Sequence, residues 1–258
     1  MKKLLVAMFV ALLMVGCGED SKKPGGYSPE SNQSSAETPE AKIAQDDKID
    51  LDDKETLEGI IAEAIDGNTL QEGGKEGEKL AYAPNQQTPF TGWVKSMWGN
   101  GQIASLRQYR DGQEDGLTKR WYKTGPKEMK ITFKDGKYGG LWTSWYENGQ
   151  KQSETTYKGG ELNGLSTGWY ENGQKKNEGS WKDGKQDGLW ALWYENGQKR
   201  EEVNYEDGKP WTGVAWKPNG EKCPETNLKD GNGVAVGYND DGTELSRSNF
   251  KDGEYIPD

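Results

Sequence analysis

Two patterns of apolar and polar positions divide the chain. Near its start, Leu4–Val15 is an unbroken apolar run preceded by Lys2 and Lys3 and followed by strongly polar sequence. Such a run is too short to span a bilayer and has the form of a signal-peptide core. From about residue 81 onward apolar residues occur singly or in short alternations, at positions that recur with a fixed period. The string Trp-Tyr-Glu-Asn-Gly-Gln-Lys starts at Trp145, Trp169 and Trp193, a spacing of 24 residues. Degenerate copies extend it to about seven units, with glycines at Gly101, Gly125, Gly149, Gly173, Gly197, Gly220 and Gly242. Each of these is followed 11 positions later by another glycine, from Gly112 to Gly253, and a third column runs from Gly92 to Gly233. Periods of this length mark stacked repeats.

The repeat reads as a β-hairpin. Asn100, Asn148, Asn172, Asn196 and Asn219, and Asp241, precede the first glycine. Asn-Gly and Asp-Gly tolerate positive φ at both central positions of a type I′ turn, so a type I′ turn is expected there. The flanks, such as Leu141–Tyr146 and Glu154–Tyr157, are strand formers. Thr124-Gly125-Pro126 departs from the pattern, and a looser turn is expected where Pro126 cannot donate. Each unit is then strand, turn, strand and a glycine-rich link. Lone hairpins are barely stable, so neighbouring units must cover one another. Two columns supply the cover: Met97, Trp121, Trp145, Trp169, Trp193, Trp216 and Tyr238, and Tyr109, Phe133, Tyr157, Trp181, Tyr205, Leu228 and Phe250. The expected fold is all-β, an elongated antiparallel meander or solenoid of 22–24-residue hairpins over residues 81–258. Fourteen strands would make a ribbon on the order of 65 Å long before twisting.

Upstream of the array, Leu57, Ile60, Ile61, Ala64 and Ile65 fall at helical spacing behind the capping candidates Asp53 and Thr56. A short helix is expected over 53–65, inside a 53–80 helix-and-linker segment, with its apolar side on the first repeat. Residues 17–52 read as a disordered tether. Charge supports that division. Of the net −10, residues 18–80 carry 17 acidic against 7 basic side chains, while 81–258 carry 26 against 24. The array is nearly neutral, which excludes the basic surface that nucleic acid or anionic lipid demands.

The end of the apolar run, Leu13-Met14-Val15-Gly16-Cys17, resembles the lipobox of bacterial lipoproteins, with Met14 where leucine is usual. That resemblance implies cleavage of residues 1–16 as a signal peptide and lipidation of Cys17. The membrane, reached through that lipid, becomes the first partner. Gly18 rather than Asp after the cysteine implies delivery to the outer membrane. The remaining cysteine, Cys223, is read as a partly buried filler.

The repeat itself resembles the bacterial variant of the MORN repeat, as in the YwqK-like antitoxin family. The resemblance rests on Gly140-Leu141-Trp142, Trp145 through Lys151, and Tyr157-Lys158-Gly159-Gly160, with Thr88–Gly92 echoed by Pro210–Gly213. It implies a meander of hairpins and no established catalytic residues.

The chain has no histidine, which removes histidine triads and histidine metal sites. Asp230–Gly233 and Asp240–Gly242 read as turns rather than calcium loops. Glu147, Glu171 and Glu195 repeat with the array, whereas a catalytic pair normally breaks such symmetry. A non-enzymatic protein without cofactor or metal is therefore expected. One column stands out as a candidate binding surface. Trp98, Tyr122, Tyr146, Tyr170 and Tyr194 lie beside the tryptophan column and so point to the opposite sheet face. Lys127, Lys151, Lys175 and Lys199 are expected close by. If the rings are exposed they suit a protein partner or a glycan; otherwise lysine stems cover them. The functional expectation is a membrane-anchored interaction or scaffold module of the cell envelope with a protein partner. The alternatives are an antitoxin or immunity protein, and a cell-wall glycan-binding module.

Overall fold

The computed structural model describes residues 49–75 and 79–257. The signal segment, Cys17 and all of the tether before Ile49 lie outside the described residues. Within them the fold is the expected meander. One sheet of 12 strands holds Ile65–Asp66 at its edge and then the strands of the first repeat to the sixth in sequence order, and a 3-stranded sheet follows it. Repeats 1 to 5 are the hairpins Gly92–Met97/Ile103–Arg110, Gln113–Trp121/Lys127–Lys134, Lys137–Trp145/Lys151–Lys158, Glu161–Trp169/Lys175–Lys182 and Lys185–Trp193/Lys199–Glu206. Repeat 6 begins with Lys209–Ala215, and repeat 7 is Gly233–Tyr238/Glu244–Lys251 with Glu254–Ile256 beside it.

Both ends of the hairpins differ from expectation in an informative way: the Asn-Gly turns are not type I′, and the glycine-rich links are. At the Asn-Gly end, Gly149 N–H donates to Tyr146 O (2.9 Å) and Tyr146 N–H to Gln150 O (2.8 Å). That encloses a three-residue loop, and only the glycine, at φ +86°, is left-handed. This is a type I turn closed by a glycine bulge, and a second irregularity follows at Gln152, where the pairing passes from Trp145↔Lys151 to Ser144↔Ser153. Asn148 is therefore not there for positive φ. Its Oδ1 accepts from Gln150 N–H (2.9 Å), and its Nδ2 donates to Glu171 O in the next repeat (3.1 Å). The type I′ turns are at the other end. Asp183-Gly184 (φ +49° and +76°) joins repeat 4 to repeat 5, with Lys182 paired to Lys185. The expected glycine-rich link is thus itself a two-residue hairpin turn, which joins repeats 1 to 5 and the first strand of repeat 6 into one continuous sheet.

The Pro126 hairpin keeps the common turn instead of loosening. Gly125 N–H donates to Tyr122 O (2.9 Å), and Pro126 is needed only as the acceptor for Tyr122 N–H (2.8 Å). The N–H that proline lacks is, in the sister repeats, bound by the asparagine side chain, and that position is Thr124 here. Proline does break the array later. Opposite Lys209–Ala215 lies Lys222–Leu228, held by the Trp216–Lys222 bridge and by Cys223 N–H to Ala215 O (2.8 Å), but not as a regular strand. Pro224 within it cannot join a ladder.

The expected helix is Lys54–Glu63, α1, capped by Asp53, whose carboxylate accepts from Thr56 N–H at 2.8 Å. It packs where expected: Leu57, Ile60 and Ile61 lie against a core of Leu51, Ala64, Leu106, Leu117 and Trp121. Two features go beyond the sequence reading. Ile49 and Leu51, assigned to the tether, pack on the sheet. The linker after α1 adds Ile65–Asp66 parallel to the edge strand Gly92–Met97, and a small Gln71–Gly73/Leu80–Tyr82 hairpin.

Candidate interaction surface

Side chains alternate across each strand, so each repeat shows two distinct faces. On one face Leu141, Thr143 and Trp145 follow one another. On the other stand Trp142, Ser144 and, past the strand end, Tyr146. The tryptophan column occupies the first face, and the lysines sit there too. Lys127 Nζ lies 4.7 Å from the centroid of the Trp145 ring, Lys151 5.8 Å from Trp169, Lys175 5.4 Å from Trp193 and Lys199 5.5 Å from Trp216. Glutamates aim them: Lys151–Glu154 and Lys175–Glu178 are ion pairs of 2.7 Å, and Lys199–Glu202 repeats the arrangement. These four lysines thus cover the tryptophans of the following repeat rather than the tyrosines, for which the sequence allows either a lysine cover or exposure. A short ion pair on a half-exposed surface contributes little by itself; its effect is to hold the ammonium over the ring.

The tyrosine column staples repeat to repeat. Tyr122 Oη donates to Trp145 O (2.7 Å), Tyr146 to Trp169 O (2.8 Å), Tyr170 to Trp193 O (2.7 Å) and Tyr194 to Trp216 O (2.7 Å). Trp98 does the same with Nε1 on Trp121 O (3.0 Å). Burial raises the phenol pKa of all four tyrosines. Tyr194, among the most deeply buried side chains, packs with Ala215, Cys223, Val236 and Tyr238. Of the two alternatives the sequence leaves for these rings, exposure or a cover of Lys127, Lys151, Lys175 and Lys199, the array presents neither. Trp98, Tyr122, Tyr146 and Tyr170 are half-buried, with their polar atoms already engaged.

The surface left open is a column that the sequence reading passed over. The residue after the third glycine column is leucine in four successive repeats: Leu117, Leu141, Leu165 and Leu189. The first is 5% exposed and the others are 51%, 53% and 58% exposed. All four lie on the tryptophan–lysine face. Leu117 is covered by this chain's own residues, the Leu51 and α1 cluster, and the cover ends at repeat 2. There a groove of about 500 Å³ opens between Ile49, Leu117, Lys130, Phe133, Leu141 and Thr143. Buried Lys119 fixes the cover: its Nζ donates to Leu51 O (3.0 Å) and Asp52 Oδ1 (2.7 Å). The signal for this column was present as the recurrent Gly-Leu pair, but only the structure shows which copies are covered.

Among the described residues, no group of three or more His, Cys, Asp or Glu is placed to hold a metal ion, and no helix is long and apolar enough to cross a membrane. Cys223 is fully rather than partly buried, with Sγ 2.9 Å from Tyr238 Oη.

An open array of stacked hairpins, joined by side-chain bonds from each unit to the next, defines a β-repeat protein. Its repeats are of a known kind. Residues 138–158, 162–183 and 186–207 match the family described as the MORN repeat variant, so repeats 3, 4 and 5 are MORN repeats. No curated protein matches the chain.

Proposed function

We propose that this chain is a bacterial envelope lipoprotein, anchored through Cys17, whose MORN repeats bind a partner protein on the leucine face. The MORN repeats themselves are consistent with an interaction or scaffold module. The observation that carries the reading is the open row Leu141, Leu165 and Leu189, because apolar side chains exposed in register favour a partner. The occupant that fits is an amphipathic helix. On the same face the chain already seats one at repeat 1, where Lys95 Nζ donates to Ile61 O (2.7 Å) and α1 lays Leu57, Ile60 and Ile61 against the cluster that Leu106 and Leu117 share. Successive leucines are two strands apart, roughly 9.6 Å, close to the roughly 10.5 Å between helix residues seven apart. The lipobox-like Leu13–Cys17 supports the anchor, and residues 18–48 separate Cys17 from the array in sequence. Catalysis forms no part of this reading.

The test uses the full chain as bait in detergent-solubilised envelope extract, with mass spectrometry as readout. A stoichiometric protein captured by the parent and lost with Leu141→Thr, Leu165→Thr and Leu189→Thr together is the expected result. Retention by the triple variant would overturn the leucine face as the site. If the captured protein is an envelope-acting toxin, the antitoxin reading replaces the scaffold one. In fractionation, Cys17→Ser is expected to move the chain from the membrane to the soluble fraction. An unchanged distribution would remove the lipid anchor.

A further inference from the structure

The opposite face carries a cleft that the leucine-face reading does not use. It lies between repeats 2 and 3, about 340 Å³ in volume, lined by Arg120, Glu128, Tyr138, Trp142, Gln152 and Tyr157 among others. That is within the roughly 300–1,000 Å³ of small-molecule sites.

The cleft exists because equivalent tryptophans meet different neighbours. Trp142 and Trp190 occupy the same repeat position, 48 residues apart. Trp190 lies flat on Gly179 of the preceding strand, so close that a Cβ added there would stand 2.1 Å from its ring. It meets Trp181 edge-on at 5.2 Å, donates Nε1–H to Ser180 O (2.9 Å) and is buried. Ile131 occupies the corresponding place for Trp142 and denies it that seat. Trp142 is left half-buried and forms a wall. Facing it, Tyr138 is 43% exposed and bridges Phe133 (5.0 Å) and Tyr157 (5.2 Å). In repeat 4 the position is Ser166, so no wall forms there.

We propose that this cleft binds a β-linked, gluco-configured sugar. The chemistry matches on both counts. Aromatic faces accept the axial C–H surface of a pyranose whose hydroxyls are all equatorial. Around the rings stand directional polar groups suited to those hydroxyls. Arg120 and Glu128 pair at 3.5 Å with 49% and 31% of their side chains exposed, giving donors and an acceptor at the rim. Gln152, bonded to Ser144 Oγ at 3.2 Å, brings an amide with both functions. A planar charged ligand would use the rings equally but would leave this neutral mixture of donors and acceptors unmatched.

The test is titration of the full chain with cellotetraose and chitotetraose, followed by the indole N–H resonances. A saturable shift of the resonance that is missing from Trp142→Phe is the expected result. Affinity should fall at least about tenfold in Arg120→Gln, a rim variant on a half-exposed side chain, and stay unchanged in Leu165→Thr on the other face. Unchanged affinity in Arg120→Gln, no shift at about 10 mM of either sugar, or shifts confined to indoles of the lysine-covered column would overturn the proposal. The leucine-face reading survives any of these outcomes.

Discussion

Repeat 2 and repeats 3 to 5 carry the same leucine at the same position of the same strand, yet one is buried and three are exposed. The backbone does not distinguish them: the ladders, the turns and the bulges after each tryptophan are shared. What differs is the layer above the sheet. Leu117 shares one cluster with Leu51, Ile49 and α1, the helix resting toward Gly92–Met97 of repeat 1, whereas Leu141, Leu165 and Leu189 stay exposed. The covered end of the face shows that it accepts an amphipathic helix, and the open repeats show how much of that capacity is unused. The sharpest way to break the comparison is to put the same charge at both places. Leu117→Asp buries a carboxylate in an apolar cluster and should cost about 3 kcal/mol or more. Leu165→Asp meets water and should stay within about 0.5 kcal/mol. Chemical denaturation of both variants checks it; equal losses would mean that the open leucines are buried in solution.

Much of this was legible in the sequence, for reasons particular residues make clear. The glycine and aromatic columns give the strands because their period is imposed by the fold itself. Asp53 and the Leu57–Ile65 spacing give α1 because cap and amphipathic face are local signals. The turn types were not legible. Asn148-Gly149 carries the composition of a type I′ turn, but loop length decides between two and three residues, and a side-chain bond to Glu171 in the next repeat selects the asparagine. The face of the tyrosine column is legible from strand alternation, but whether its rings are open or covered is not, since their partners are backbone carbonyls about 23 residues away. The open leucines were written in plain view as Gly-Leu pairs. Their exposure depends on where Ile49–Glu63 comes to rest, which no local pattern records.

A second contrast, between Trp190 and Trp142, sharpens the lesson that one distant residue sets a repeat's character. Gly179→Ile gives repeat 5 the seat that repeat 3 has. The added side chain cannot share space with the Trp190 ring, so the ring must lift and its bond to Ser180 is lost. The expected cost is about 1–3 kcal/mol, with a red shift of tryptophan emission as the ring meets water. Unchanged stability would mean that the ring does not rest on this glycine.

The smallest effect concerns the latch that separates the covered repeat from the open ones. At the position of Lys119 the later repeats have Thr143, Thr167 and Ala191, so Lys119→Thr makes repeat 2 resemble its open sisters. The variant loses the bonds to Leu51 O and Asp52. Since Asp52 is largely exposed and burial of the lysine works against its charge, the net cost should be about 1 kcal/mol. Hydrogen exchange at Leu51–Asp53 should quicken while exchange in repeats 4 and 5 stays as it was. The pH dependence has a definite sign. Hydrogen bonding to Lys119 holds the Asp52 carboxyl below its ordinary value of 3.8, so the latch is complete above that pH. It weakens as pH falls through the depressed value, and parent and variant should converge there. Burial lowers the Lys119 pKa below 10.5. The unfolded chain then binds the extra proton at alkaline pH, and the native state gains relative stability as pH rises from the lowered value toward 10.5. Lys119→Thr should lack the alkaline limb and keep only the smaller acid limb that Lys127, 3.6 Å from Asp52 Oδ2, supplies. A variant whose acid limb is as large as the parent's would place the anchor of residues 49–52 somewhere other than Lys119.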